Sequence, residues 1–283
     1  MTEPDAVAWP APAKINLFLH VTGRRADGYH NLQTLFQLLD WGDGIEVRRK
    51  PGPVVSRAPV DYGVAESEDL VVRAAKRLQQ ATGCRQGAEI LVRKRIPPGS
   101  GLGGGSSDAA TVLLALNRLW NCGLDTNDLA ALGRGLGADV PVFVHGRSAL
   151  AEGIGDQLQP VRLGDRHYVL VFPGFSVSTA EVFADAGLAR DSAPISLEEA
   201  LAGGGWNDCE PVVLRRFPEL ATLMESLARW GRPAMTGTGS TIFIPMPDRA
   251  HAMSAANEMK TLYNVRAVRG VDESPVLDVL YSD

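Results

Sequence analysis

Between Pro97 and Ala110 the chain reads Pro-Pro-Gly-Ser-Gly-Leu-Gly-Gly-Gly-Ser-Ser-Asp-Ala-Ala, with five glycines in the seven positions from Gly99 to Gly105. Glycine loses more backbone freedom on folding than any other residue, so such a run suits a place where the backbone itself must approach a ligand. An apolar helical pattern follows at once: Val112, Leu113, Leu116 and Leu119 fall on one side of a helix predicted from Ser107 to Trp120. The first amides of a helix have no intrahelical acceptor and lie at its positive end. A triphosphate held there meets several N–H donors, each dipole contact being worth ~0.3–1 kcal/mol at an exposed site. The predicted nucleotide contacts are Pro97, Pro98, Gly99, Ser100, Gly101, Leu102, Gly103, Gly104, Gly105, Ser106 and Ser107, with Lys94 just ahead to border an adenine ring. Ser106 or Ser107 could also turn a hydroxyl to a phosphate oxygen or to Mg²⁺. The competing reading, a flexible linker before a capped helix, fits poorly because linkers rarely adjoin so abrupt and well-patterned a helix.

Three familiar phosphate loops can be compared with this one. Gly99-x-Gly101-x-x-Gly104 matches the dinucleotide fingerprint, and Asp125 lies near the acidic offset, but Asp125 opens a helix where that motif needs the end of a strand. No Gly-Lys-Ser/Thr follows, so the loop is not a Walker A motif. Protein-kinase loops join two strands, whereas this one runs into a helix, and no His-Arg-Asp loop occurs.

The elements that must carry this loop are mixed. Ile15, Leu17, Leu19 and Val21 alternate with Lys14, Asn16 and His20, which predicts a strand with one buried and one chemical face; Phe18 breaks the pattern. Gly42-Asp43-Gly44 between Leu35–Trp41 and Ile45–Arg49 predicts a hairpin. Ser67 is the expected cap of a helix ending at Thr82 before Gly83, and Asp139 is expected to open an apolar strand. Further helices are expected from Asp125 or Thr126, at Pro218–Trp230 and at Asp248–Lys260, with strands at Tyr168–Phe172, Thr241–Ile244 and Val265–Val268. The class is α+β, with a boundary near residue 163 dividing 1–163 from 164–283 and a loose tail over residues 1–8.

Composition narrows the function. Apolar residues make up 45% of 283, enough for a sizeable core, and the net charge of −5 supplies no broad positive field for nucleic acid or a membrane surface. Cys84, Cys122 and Cys209 form no paired or zinc-like spacing, and His20, His145, His167 and His251 match no ligand pattern, so no metal site is expected from the protein alone. Without a signal-like start or a membrane-length apolar run, a cytoplasmic protein acting on a small molecule is expected.

Pro97–Ala110 resembles the second motif of the galactokinase–homoserine kinase–mevalonate kinase–phosphomevalonate kinase (GHMP) superfamily. Pro12-Ala13-Lys14-Ile15-Asn16-Leu17 resembles the first motif and Met235-Thr236-Gly237-Thr238-Gly239-Ser240-Thr241 the third, in the same order along the chain. Within the superfamily, Arg24–Thr34 and Gly137-Ala138-Asp139-Val140-Pro141-Val142-Phe143 resemble the 4-diphosphocytidyl-2-C-methyl-D-erythritol kinase family. The resemblance runs from about Pro12 to near the C-terminus and is looser after Gly174. It implies a two-domain fold, a β-rich N-terminal domain like domain 2 of ribosomal protein S5 followed by a ferredoxin-like α+β domain, with the active site in the cleft between. It also implies ATP and Mg²⁺, phosphorylation of a cytidine-diphosphate-linked polyol in non-mevalonate isoprenoid synthesis, and a monomer or weak homodimer.

Residue by residue, the resemblance makes Asp139 the general base and Lys14 its partner; at ~4 Å and an effective dielectric near 20 such a pair interacts by ~4 kcal/mol before desolvation. Tyr29 and His30 would hold the cytidine end by stacking and hydrogen bonding, and Asn16, on the same strand face as Lys14, could bind a substrate hydroxyl. Thr179 and Phe183 resemble the second domain's contribution to that pocket, and read equally well as a helix start and a core aromatic. Asp69 is a weaker candidate on the ATP side, and Asp108 carries no fixed role. Two other classes stay open: a kinase of the superfamily acting on homoserine, mevalonate or a sugar, and a nicotinamide-dependent oxidoreductase using the Gly99–Gly104 fingerprint. A nucleotide-binding module without catalysis fits less well, since Lys14 and Asp139 are both present.

Overall fold

In the computed structural model, which describes residues 8–59 and 63–282, the chain opens with β1 (Ala8–Arg24) and β2 (His30–Lys50), paired antiparallel. Of the tail expected over residues 1–8, only Ala8 lies within the described residues, and it belongs to β1. Then come β3 (Val55–Arg57), α1 (Leu70–Thr82), β4 (Gly87–Arg93), α2 (Gly104–Leu119), α3 (Thr126–Arg134), α4 (Val140–His145), β5 (Ala149–Glu152), β6 (Gln157–Pro160) and β7 (Arg166–Phe172). The remainder forms α5 (Thr179–Ala184), α6 (Leu197–Leu201), α7 (Glu210–Arg216), α8 (Pro218–Leu227), β8 (Ala234–Met235), β9 (Ile242–Met246), α9 (Arg249–Met259), β10 (Asn264–Val271) and α10 (Pro275–Tyr281).

The hairpin expected at Gly42-Asp43-Gly44 does not form; β2 runs straight through these residues. Gly42 serves a close approach instead, since a Cβ there would lie 2.0 Å from the Ala11 carbonyl oxygen of β1. The break at Phe18 also has a cause. β1 shifts register against β2 between Asn16 and Leu19, and the shift turns Phe18 into a small core with Leu35, Leu150 and Val161.

The strands make one sheet in the order β3-β4-β2-β10-β7-β9-β8, with β1 and β5 also paired to β2. β10 is the joint: it pairs with β7 along its length and meets β2 at Gly270–Leu39 and Val271–Leu38. One apolar core gathers α1, α2, α3 and α4 under β2 and β4, and α10 returns to it through Val276. A second core packs Val169, Val171, Ile242 and Ile244 of the sheet against Val182, Val212, Leu220 and Ala252. Ala13, Ile15, Leu39, Ile96, Leu102, Leu170 and Phe243 form a third cluster between the two, beside the glycine loop.

Three local expectations change. The cap of α1 is Asp69, whose carboxylate accepts from the Val71 N–H, and not Ser67. α2 begins at Gly104, three residues before Ser107, so part of the glycine run is its first turn. Asp139 heads a helix and not a strand. Pro141 is tolerated in the first turn of α4, where no N–H partner is needed, and Gly146 closes it in the left-handed region at φ +63°. Ser178 and Ser196 cap α5 and α6, the latter in a capping box with Glu199.

Candidate active site

The chemical face of β1 presents Lys14 and Asn16, both buried. The Lys14 ammonium donates to Asn16 Oδ1 at 2.7 Å and to the Gly101 carbonyl at 3.0 Å. It also stands 3.3 Å from Asp139 Oδ2. The Lys14 side chain is 4% exposed and that of Asp139 31%, so the amine is fixed within the protein while the carboxylate opens to the cavity. Asp139 has no other hydrogen-bond partner among the described residues, which leaves Oδ1 able to accept a proton. Asn16 donates Nδ2 to Thr34 Oγ1 at 2.8 Å, so both ends of its amide are engaged, and its first effect is to orient Lys14.

The glycine loop is tied down from several sides. Leu102 O accepts from the Lys14 N–H at 3.0 Å, Ser100 O from Thr241 N at 3.2 Å, and Gly99 O from Val177 N at 3.3 Å. Gly103, at φ +73°, leaves no room for a side chain: a Cβ would lie 2.9 Å from the Phe143 ring and 3.2 Å from Lys14 Cε. The first helical bond of α2 is Ser107 N to Gly103 O, so the N–H groups of Gly104, Gly105 and Ser106 precede the ladder. Ser106 faces the cavity, whereas Ser107 is fully buried, its hydroxyl unpartnered among the described residues. Leu102 is likewise an anchor in the core and not a wall residue.

Lys94 bridges two buried carboxylates, Asp43 Oδ2 at 2.5 Å and Asp108 Oδ2 at 2.8 Å. Asp43 also accepts from the N–H groups of Arg95 and Ile96, which fixes the chain entering the glycine loop. Burial, together with the neighbouring Asp43 charge, pushes the Asp108 carboxyl up to about 7 against the pull of Lys94. Burial opposes the Lys94 ammonium, but Asp108 and Asp43 outweigh it and raise its pKa. Asp69, paired with Arg57 at 2.9 Å, lines the same cavity as Lys94 and Asp108.

This cavity, of about 470 Å³, brings together Lys14, Asn16, Lys94, Pro97, Pro98, Gly99, Ser100, Gly101, Gly103, Gly104, Gly105, Ser106, Asp139, Thr179 and Phe183. The third motif closes one side. Thr236 Oγ1 accepts from the Asn16 N–H at 2.8 Å, and Thr238 meets Thr179 hydroxyl to hydroxyl at 2.9 Å. Asn207 holds that motif from behind, donating to the carbonyls of Met235 and Gly237 at 2.9 and 2.8 Å. Tyr29 and His30 are not on the cavity wall. Tyr29 is 60% exposed, and His30 packs beside the wall residue Phe183, with ring centroids 5.2 Å apart. Burial, then Arg190 and Arg24, hold the His30 imidazole below its usual pKa.

Sequence reasoning missed Asp43, Asn207 and Arg190. An acid flanked by glycines inside a long strand pattern is a usable signal for Asp43. Nothing local distinguishes Asn207, whose amide donates to carbonyls about thirty residues on, or Arg190, whose link to His30 spans 160 residues.

Residues 69–147 match the GHMP kinases N terminal domain and residues 187–265 the GHMP kinases C terminal domain. The 4-diphosphocytidyl-2-C-methyl-D-erythritol kinase of Halorhodospira halophila is 53% identical over 271 residues, covering 95% of this chain and 94% of that protein. The enzyme of the same name from Xanthomonas axonopodis pv. citri is 50% identical over 278 residues, covering 98% and 94%. A crystal structure of 4-(cytidine 5'-diphospho)-2C-methyl-D-erythritol kinase superposes with a TM-score of 0.81 at 39% identity, over 94% of this chain and all of that one. Homoserine kinase from Cytophaga hutchinsonii, at 18% identity and a TM-score of 0.70, shares the fold alone. On this likeness across nearly its whole length, the chain belongs to the 4-diphosphocytidyl-2-C-methyl-D-erythritol kinase family of the GHMP kinases.

Proposed function

We propose that the protein transfers the γ-phosphoryl group of ATP to the 2-hydroxyl of 4-diphosphocytidyl-2-C-methyl-D-erythritol, giving the 2-phosphate and ADP, a step of non-mevalonate isoprenoid synthesis. The observation that carries this reading is the Lys14–Asp139 pair at 3.3 Å on the wall of the cavity that also holds the N-terminus of α2. Family membership at about half identity supports the substrate.

Asp139 takes the hydroxyl proton on Oδ1 as the alcohol oxygen attacks phosphorus. Lys14, held by Asn16 and Gly101, keeps Asp139 in position and stabilises negative charge gathering on the alcohol oxygen. The N–H groups of Gly104, Gly105 and Ser106 hold the phosphates against the positive end of α2, and Lys94 with Asp108 and Asp69 borders the base. Phosphoryl transfer asks a protein mainly for such positioning and charge stabilisation. Among the described residues no group of three acidic, histidine or cysteine side chains could hold a metal by itself. The donors fit an ion that keeps phosphate oxygens as ligands, with the Ser106 hydroxyl and the open carboxylate of Asp139 at hand. When bound, Mg²⁺ would supply charge neutralisation for the phosphates.

A division near residue 163 accords with the two matched segments, which fall on either side of it. We also infer action in the cytoplasm, as a monomer or weak homodimer; among the described residues no helix is long and apolar enough to cross a membrane. The second reading, a different alcohol acceptor, rests on the wider superfamily likeness; the Arg24–Thr34 segment with Tyr29 and His30 weighs against it. ADP release measured with the cytidyl substrate, homoserine, mevalonate and galactose decides between them. Faster turnover of any of the last three overturns the assignment.

A further inference from the structure

Arg190 lies in the loop after α5, with no carboxylate partner among the described residues. Its Nε donates to His30 Nε2 at 3.1 Å. Its Nη1 donates to the Leu188 carbonyl at 3.0 Å, and its Nη2 to the carbonyls of Phe183 and Asp185 at 2.9 and 2.7 Å. Four bonds thus fix the guanidinium plane, and one of them ends on the backbone of Phe183, whose ring lies tilted at 30° to that of His30. A guanidinium has five donors, no acceptor, and does not deprotonate in proteins. The nitrogen it touches must therefore be a lone-pair acceptor. In a neutral imidazole only one nitrogen bears the proton, so the other one carries it. Nδ1 of His30 has no hydrogen-bond partner among the described residues.

We propose that Arg190 is a positioning residue that locks His30 as the neutral tautomer protonated on Nδ1. The ring then offers one N–H donor, aimed at an acceptor on the pyrimidine of the substrate, with no free acceptor and no positive charge. The same guanidinium sets the Phe183 backbone, so the donor and the adjacent ring are held as a unit. The proposal rests on the reading of the substrate as cytidine-bearing.

The test uses the full-length protein labelled with ¹⁵N-histidine. Two-bond ¹H–¹⁵N correlation spectra report the tautomer, and the His30 signals are those lost in His30→Asn. The wild type is expected to show protonated Nδ1 and unprotonated Nε2 at neutral pH. Arg190→Met is expected to give a mixture of tautomers. Its KM for the cytidyl substrate should rise about tenfold, the loss of roughly one hydrogen bond, while kcat and the KM for ATP change less than about threefold. A wild-type ring protonated on Nε2 or on both nitrogens overturns the proposal, whatever the variant does. So does an Arg190→Met protein whose tautomer and KM are both unchanged. If the cytidyl compound is not turned over at all, the substrate reading falls, and the tautomer measurement still decides the role of Arg190.

Discussion

The Lys14 ammonium and the Asp139 carboxylate, from the first strand and the head of α4, stand 3.3 Å apart on the cavity wall, the lysine buried and the carboxylate partly exposed. This asymmetry predicts different failures for the two. Asp139→Ala removes the proton acceptor and should cut kcat at least ~100-fold with little change in melting temperature, since its side chain makes no other bond among the described residues. Lys14→Ala should cut kcat by a similar ~100-fold and also lower stability, because Asn16 Oδ1 and the Gly101 carbonyl lose a buried donor. Steady-state kinetics beside thermal melts check both; near wild-type turnover in the pair removes the proposed base.

Gly103 offers a second check, on the loop and not on the base. It sits at φ +73° with the Phe143 ring and Lys14 Cε where a side chain would go. Gly103→Ala combines backbone strain with a contact that an aromatic ring packed in the core cannot relieve. A loss of ~1–3 kcal/mol in stability is expected, with a larger fall in kcat than in ATP affinity because Lys14 is displaced. By contrast Gly105→Ala, whose Cβ would meet only Leu70 at 3.4 Å, should fold normally. Equal effects from the two substitutions would contradict this account of the loop.

These residues also mark how much was legible beforehand. The glycine run, the α2 pattern and the β1 alternation are local signals, and each led to the correct element because a buried face and a helix start leave periodic traces. The Lys14–Asp139 pairing was legible only through likeness to a family, since no local rule brings the two stretches together. The misreadings have two causes. Gly42-Asp43-Gly44 has the composition of a turn, yet Gly42 answers to the backbone of β1 and Asp43 to Lys94, so tertiary neighbours overrode a local preference. The apolar run after Asp139 has the composition of a strand, but Pro141 and Gly146 suit the two ends of a short helix, local signals that outweigh it. Arg190 reaches the His30 ring nitrogen and Asn207 the Met235 and Gly237 carbonyls far along the chain, contacts that leave no pattern to read.

Asn207 supports a third prediction. Its amide nitrogen donates to the Met235 and Gly237 carbonyls, and its oxygen accepts from the Cys209 N–H at 3.0 Å. Asn207→Asp is nearly isosteric but turns a carboxylate oxygen toward two carbonyl oxygens in a buried place. A destabilisation of ~2–4 kcal/mol is expected, larger than that of Asn207→Ser. Because the third motif holds Asn16 through Thr236, kcat should fall as well. Chemical denaturation ranks the two variants, and the reverse order would show that the amide does not hold the motif.

The last prediction concerns pH and the cluster around Lys94. Burial raises the Asp108 carboxyl from its ordinary 3.8 to about 7, so between those values the folded protein binds more protons there than the unfolded chain does. The sign follows: this group favours the fold most at low pH, and stability drains away as pH rises toward 7, by at most about 1.4 kcal/mol per pH unit for one proton. Asp108→Asn cannot titrate. Its melting temperature relative to the wild type should therefore climb from pH 5 to pH 7 and level off above pH 8, a change of several degrees for a chain of this size, where about 1 kcal/mol moves the midpoint ~2–4 °C. The comparison cancels every other group whose titration the substitution leaves alone, so the slope of the difference, not its absolute value, carries the information. Melts of both proteins at four pH values suffice. A difference that stays flat from pH 5 to pH 8 would mean that Lys94 holds the Asp108 carboxylate ionised throughout, and that attraction, not burial, governs this end of the cavity.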